Sequence, residues 1–151
     1  MLLVQHSFAG YGLCARRAKP GSWPGQKNGG PSVKIGAPKE IFPGENRVAM
    51  TPDSAVQLAK LGHECLIEAG AGAAAGFEDA AYAAVGVTVL PTAEALFQQA
   101  AIIVKVREPS EAEIARLTAG KTLISFFWPA QNAEALENAK ATGASVIAMD
   151  M

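Results

Sequence analysis

From Val33 onward, short apolar runs alternate with stretches in which apolar residues recur at helical spacing. The runs span Val33 to Ala37, Glu64 to Glu68, Val87 to Leu90, Ala101 to Val106, Thr122 to Phe127 and Ser145 to Met149. Each reads as a strand. Between the first two, Thr51-Pro52-Asp53 opens a helix with a hydroxyl cap and a proline at its first position. Ala55, Leu58, Ala59 and Leu61 share one face of it, and Gly62 ends it. Further helices are predicted over Glu78 to Val85, Thr92 to Gln99, Ser110 to Leu117 and Asn132 to Thr142. Ser110 with Glu113 makes a capping box, Thr92 and Asn132 offer caps, and Gly86 and Gly143 are stops.

Strand and helix in strict alternation, with short connections, predict an α/β fold with a doubly wound, mostly parallel sheet, Rossmann-like in kind. The chain stops one residue past Asp150, the acid that closes the sixth strand. In such domains that is where a site-bearing loop is delivered. The expectation is therefore a first lobe, residues 33–151, truncated at its C-terminal end.

Composition sharpens this in two places. Half of the 151 positions are apolar, enough for one ordinary core. Gly and Ala dominate over aromatics, which suits helices packed closely on a sheet. The net charge of −1 is unevenly spread. Residues 1–32 carry Arg16, Arg17, Lys19 and Lys27 and no acid, leaving 9 basic against 14 acidic residues for the body. A body of that charge argues against a nucleic-acid partner held through phosphates.

No apolar stretch approaches the roughly 20 residues needed to span a bilayer, so direct membrane insertion by this segment is not expected. Cys14 and Cys65 lie on opposite sides of the compositional shift, and Cys65 sits in a strand-like run. That excludes a disulfide framework as the organising device.

Residues 1–32 are rich in Gly and Pro, lack helical periodicity, and read as a disordered leader. A start codon assigned too early is the preferred origin. Gly29-Gly30 can be encoded by a purine-rich ribosome-binding sequence, with Val33 as a GTG start after two intervening codons. A mitochondrial transit peptide is the alternative, but the segment is not Ser-rich and shows no apolar helical face.

Gly70-Ala-Gly72-Ala-Ala-Ala-Gly76 invites comparison with a dinucleotide fingerprint. It is rejected here. It follows the second strand, Glu78 and Asp79 place carboxylates where phosphate would sit, and no acid ends the following strand at the expected distance. A Gly/Ala turn that lets a helix pack closely is the better reading.

Candidate site residues gather at predicted strand ends. Arg47, in the loop after the first strand, offers a planar fork to an anion or amide, or else a salt bridge to Glu40 or Glu45 that shapes the loop. Lys105 and Arg107 alternate with Val106, so that both point to one face, either lining the cleft beside Arg47 or forming a solvated strand end. After the fifth strand, Trp128 and Gln131 make a wall and an amide contact for a flat ligand, with Asn132 capping the next helix; alternatively Trp128 is the last core residue of that strand. His6 and His63 have no visible catalytic partner, and no catalytic triad, metal spacing or convincing phosphate loop appears.

Taken in order, Lys34 to Glu40, Glu45 to Ala49, Thr51-Pro52, Glu68 to Gly72, Val104 to Pro109 and Ser125 to Asn132 resemble the N-terminal region shared by alanine dehydrogenases and the alpha subunit of proton-translocating NAD(P) transhydrogenases. The resemblance runs from about Val33 to Asp150. It implies, for an alanine dehydrogenase, a substrate-carboxylate Arg at Arg47 and a Lys and a His where this chain has Arg107 and Trp128. An indole cannot relay a proton and a guanidinium is always charged, so the acid-base group is missing. Trp128-Pro-Ala-Gln-Asn132 and the Ala-Met-Asp ending are typical of the transhydrogenase branch.

That branch implies NAD(H) held between two lobes of a homodimeric alpha subunit, and NADP(H) held by a partner component. Hydride transfer between them is coupled to proton movement through a membrane-embedded partner. The setting would be cytoplasmic and peripheral to a bacterial inner membrane, or the mitochondrial matrix side if the leader is a transit peptide. The fingerprint of the second lobe, the nicotinamide-contacting loop and the returning helix all lie outside these residues. The expectation is thus a fragment that is inactive alone, with Arg47, Trp128, Gln131, Asn132, Lys105 and Arg107 as cofactor-side cleft-wall candidates and no catalytic or metal residues. The alternatives are an alanine-dehydrogenase-like fragment and a non-catalytic binding or dimerisation module.

Overall fold

The computed structural model describes residues 31–150. The leader expected over residues 1–32 lies almost wholly outside them. Twelve segments follow in order: β1 (Lys34–Ala37), α1 (Pro52–Lys60), β2 (Glu64–Glu68), a 3-10 turn (Ala73–Ala75), α2 (Asp79–Ala84), β3 (Thr88–Leu90), α3 (Ala93–Gln99), β4 (Ile102–Val104), α4 (Glu111–Ile114), β5 (Thr122–Ser125), α5 (Ala133–Ala141) and β6 (Ser145–Ala148). The six strands form one sheet in the order β3-β2-β1-β4-β5-β6, and every pairing is parallel. The doubly wound expectation is met.

Local chemistry sets the helix starts. Thr51 accepts the N–H of Ser54 while the Ser54 hydroxyl accepts the N–H of Thr51, a reciprocal cap ahead of Pro52. Ser110 and Glu113 do the same for α4, and Thr92 caps α3 through the N–H of Ala95. Asn132 departs from expectation. Its side chain makes no cap bond to α5; its Nδ2 instead donates to the Phe127 carbonyl at 2.9 Å. Leu61 departs as well, because it falls past the last turn of α1 and is exposed.

Each face of the sheet carries its own core. Leu66, Leu90, Ile103, Leu123 and Phe127 pack with Leu96 and Phe97 of α3, Ile114 of α4 and Ala139 of α5. On the opposite face, Ile35, Ala37, Cys65 and Ile67 pack with Ala55 of α1 and Tyr82 of α2. Burying each large apolar side chain contributes about 1.5–3 kcal/mol. Close approach needs a glycine at Gly36, where an added Cβ would sit 2.7 Å from Leu96 of α3 and 2.9 Å from Ala100 just after it.

Candidate functional site

Reversal of strand order places β1 and β4 side by side, and the loops leaving their carboxyl ends open a crevice of the kind in which doubly wound sheets bind ligands. Glu40, from the loop after β1, organises it. One carboxylate oxygen accepts the N–H of Val106 at 2.6 Å, the other that of Arg107 at 3.4 Å. These amides would otherwise continue the ladder of β4, so the strand stops at Val104, short of the predicted Val106.

The early stop overturns one geometric expectation. Without extended backbone through Lys105-Val106-Arg107, the two basic side chains do not share a face. Lys105 turns into the core, its side chain 0% exposed, with Nζ 2.6 Å from Glu113 and 3.7 Å from Glu40. It ties α4 to the loop after β1. A buried ammonium is tolerated because carboxylates on two elements neutralise it.

Arg107 goes the other way and meets the Glu45-Asn46-Arg47 segment. The Glu45 carboxylate accepts Arg47 Nε at 2.7 Å, Arg47 Nη2 at 2.6 Å, the Arg47 backbone N–H at 3.0 Å and Arg107 Nε at 2.9 Å. Side-chain bonding from Arg47 leads in holding the Glu45 carboxyl down at about 2, helped by the Arg47 amide and by Arg107. The reciprocal bond pushes the Arg47 guanidinium up. Of the two roles weighed for Arg47, the loop-shaping pair to Glu45 is formed. The Arg47 side chain is nonetheless 64% exposed, with an edge turned to solvent.

Arg107 also joins the first and fifth strand ends. Its guanidinium carbon lies 4.8 Å from the Phe42 ring centroid and 5.2 Å from that of Trp128, a cation–π contact with each ring. Trp128 has φ +44°, alone among the described non-glycine residues in the left-handed region, a conformation that costs about 1–3 kcal/mol. Asp150 offsets that cost. Its carboxylate accepts the N–H of Phe127 at 2.6 Å and of Trp128 at 2.7 Å, and each charge-assisted bond contributes about 1.5–3 kcal/mol.

The turn closes further down. The Trp128 carbonyl accepts the N–H groups of Gln131 and Asn132 at 2.9 and 3.0 Å. Phe127 is buried, whereas Trp128 is 40% exposed, so the last core residue at this strand end is Phe127. Trp128, Pro129, Ala130, Gln131 and Asp150 line an open hollow of about 440 Å³.

A second pattern runs along the whole edge. After β1, the Lys39 N–H donates to Glu68 at 2.8 Å; after β2, the Gly70 N–H donates to Asp79 at 2.8 Å. Glu40 and Asp150 serve the ends of β4 and β5 in the same way. Backbone amides at four strand ends are thus held by the chain's own carboxylates, in the role a bound phosphate plays elsewhere. The glycine-rich segment follows suit. A Cβ on Gly72 would lie 2.7 Å from the Phe77 carbonyl and from Tyr82, so this glycine serves close packing of α2.

The crevice therefore unites Arg47 and Arg107 and sets Trp128 and Gln131 at the neighbouring strand end, while Lys105 and Asn132 act beneath the surface. Sequence reasoning passed over Phe42 and the hold of Asp150 on Trp128; it weighed Glu45 as a partner of Arg47, without the bond from Arg107 that makes Glu45 a hub. The signal for Glu45 was present: an acid two residues before Arg47 is within reach of a bidentate bond. For a flat aromatic ring the exposed indole and the Gln131 amide fit as a wall. For a pyrophosphate the described residues fit poorly, because the strand-end amides are taken.

Strand order and switch-point crevice define a doubly wound α/β domain. Residues 36–151 match the family model described as alanine dehydrogenase/PNT, N-terminal domain, and the chain belongs to that family. It is 70% identical over 119 residues to the NAD(P) transhydrogenase subunit alpha of Cereibacter sphaeroides, covering 79% of this chain and 23% of that protein. Identity to the alanine dehydrogenase of Halomonas elongata is 39%, covering 78% of this chain and 32% of that protein. The crystal structure of transhydrogenase from Sinorhizobium meliloti superposes with a TM-score of 0.73 at 34% identity, over 77% of this chain and 34% of the other. The chain thus spans between about a fifth and a third of the length of the curated relatives it matches. Within the family its sequence stands nearer these transhydrogenase alpha subunits than these alanine dehydrogenases, as the residues at Arg107 and Trp128 implied.

Proposed function

We propose that these residues form part of the NAD(H)-binding component of a proton-translocating NAD(P) transhydrogenase, supplying one wall of the cleft and no phosphate cradle. In this reading hydride passes between NADH and NADP+, with NADP(H) held by a partner component. The alpha subunits pair as a homodimer, and proton movement belongs to a membrane-embedded partner. No helix among the described residues is long and apolar enough to cross a membrane.

The observation that carries the reading is the Arg107–Trp128 stack. These residues stand where the family resemblance implies the acid-base Lys and His of amino-acid dehydrogenation. Neither can exchange a proton there: the indole has no titratable group, and the guanidinium is paired with Glu45. Direct hydride transfer between two nicotinamides needs positioning and exclusion of water, with no side-chain acid or base. When bound, NAD(H) supplies the transferable hydride. Trp128, Gln131, Arg47 and Arg107 shape and polarise the wall against which it sits, while Lys105 and Asn132 hold that wall from behind.

The test is a chimera in which residues 33–150 replace the matching segment of the Cereibacter sphaeroides alpha subunit, reconstituted with its partner components. Reduction of thio-NADP+ by NADH is expected, with no alanine-dependent reduction of NAD+. Alanine-dependent NADH formation without transhydrogenation would overturn the reading.

A further inference from the structure

We propose that Arg107 and Asp150 are positioning residues that clamp Trp128 from two sides and present its indole, already oriented, as a stacking platform for a planar heteroaromatic ring. The proposal rests on the cleft-wall reading above and assigns the device that makes the wall.

A tryptophan in the left-handed region is conformationally unfavourable, and an exposed indole at a turn is free to rotate unless something holds it. Two holds are present, and they act on different parts of the residue. Asp150, two residues beyond the end of β6, takes the backbone N–H groups of Phe127 and Trp128 on its two carboxylate oxygens. Its position follows from the parallel register of β5 with β6, in which Ser125 pairs with Ala148 and the Met149 N–H donates to Ser125.

Arg107 holds the side chain. Its guanidinium lies over both the Phe42 and the Trp128 ring while Nε donates to Glu45, which holds the cation against the indole. Glu45 is in turn held by Arg47, which extends the clamp to the loop after β1. A guanidinium serves this role better than an ammonium because it stacks flat and still donates from its edge. Asn132 closes the turn from below through the Phe127 carbonyl. The indole, backed by a charged plane and still part-exposed beside the hollow near Gln131, is preorganised for stacking.

Trp23→Phe leaves Trp128 as the sole tryptophan, so its emission and its quenching by acrylamide report the clamp directly. Arg107→Met and Asp150→Asn are each expected to red-shift the emission by several nanometres and to raise quenching, with far-UV circular dichroism unchanged. Arg107→Lys is expected to recover only part of the original signal. Unchanged emission and quenching in folded Arg107→Met and Asp150→Asn would overturn the clamp. Should either fail to fold, Phe42→Leu and Arg107→Lys give the same readout with milder change, and no shift in both would overturn it equally.

Quenching of Trp128 by 1-methylnicotinamide then separates the clamp from the reading beneath it. Saturable quenching that weakens in Arg107→Met supports both. Collisional quenching alone, with the clamp variants still shifted, supports the clamp and counts against the cleft wall.

Discussion

Lys105 Nζ lies 2.6 Å from Glu113 Oε1 with both side chains buried, and Glu40 Oε2 stands 3.7 Å from the same ammonium. The arrangement fixes α4 and the loop after β1 to the end of β4. Removing Lys105 leaves two buried carboxylates without their cation, and removing Glu113 leaves the ammonium with only the longer contact to Glu40. Glu113→Ala and Lys105→Met are each expected to lower unfolding free energy by about 3–5 kcal/mol, read as the shift of a urea midpoint at constant slope. The double variant should cost clearly less than the sum of the two. Full additivity would show that the pair is not coupled.

Glu45 gives the protein a defined acid sensitivity. Its carboxyl is lowered from 4.5 to about 2 in the folded chain, first by Arg47 and then by Arg107. A lowered folded-state value contributes stability that is fully present above the unfolded value near 4.5 and is lost as pH falls through about 2. Thermal unfolding followed from pH 5 downward should therefore show a decline that Glu45→Gln flattens. An identical decline in the variant would place the acid sensitivity elsewhere.

Gly72 gives a test of the glycine-rich segment. Its missing Cβ leaves room for the Phe77 carbonyl and the Tyr82 ring, and Tyr82 Oη in turn donates to the Met50 carbonyl at 2.8 Å. A backbone carbonyl cannot rotate aside as a side chain can. Gly72→Ala is expected to cost about 1–3 kcal/mol of stability, measured by chemical unfolding. A neutral effect would return the segment to the list of candidate ligand loops.

How far the fold could be read in advance depended on whether its determinants were local. Strand and helix positions, and the caps at Thr51, Thr92 and Ser110, are set within a few residues and were legible, although β4, α4 and β5 end at Val104, Ile114 and Ser125, short of the predicted Val106, Leu117 and Phe127. Interactions across the sheet were not. The alternation at Lys105 and Arg107 failed because a carboxylate 66 positions away takes the Val106 amide and ends the strand. Asn132 stood at a helix start, yet a carbonyl released by the turn at Trp128 claimed its side chain. Asp150 was visible as the acid closing the sixth strand, but its hold on Trp128 exists only once β5 and β6 lie parallel. The candidate site was legible as a list of strand-end residues, and illegible as the set of carboxylates that position them.

Those carboxylates bear most directly on what these residues can do. Glu68, Asp79, Glu40 and Asp150 occupy backbone amides at four strand ends, and a phosphate seated there would have to displace them. The decisive measurement is a fluorescence titration of the purified 151-residue chain with NADH. With a ring stacked on Trp128 and no cradle for the phosphates, saturation is expected only at millimolar NADH or above, whereas a saturable enhancement with a micromolar Kd would contradict the account.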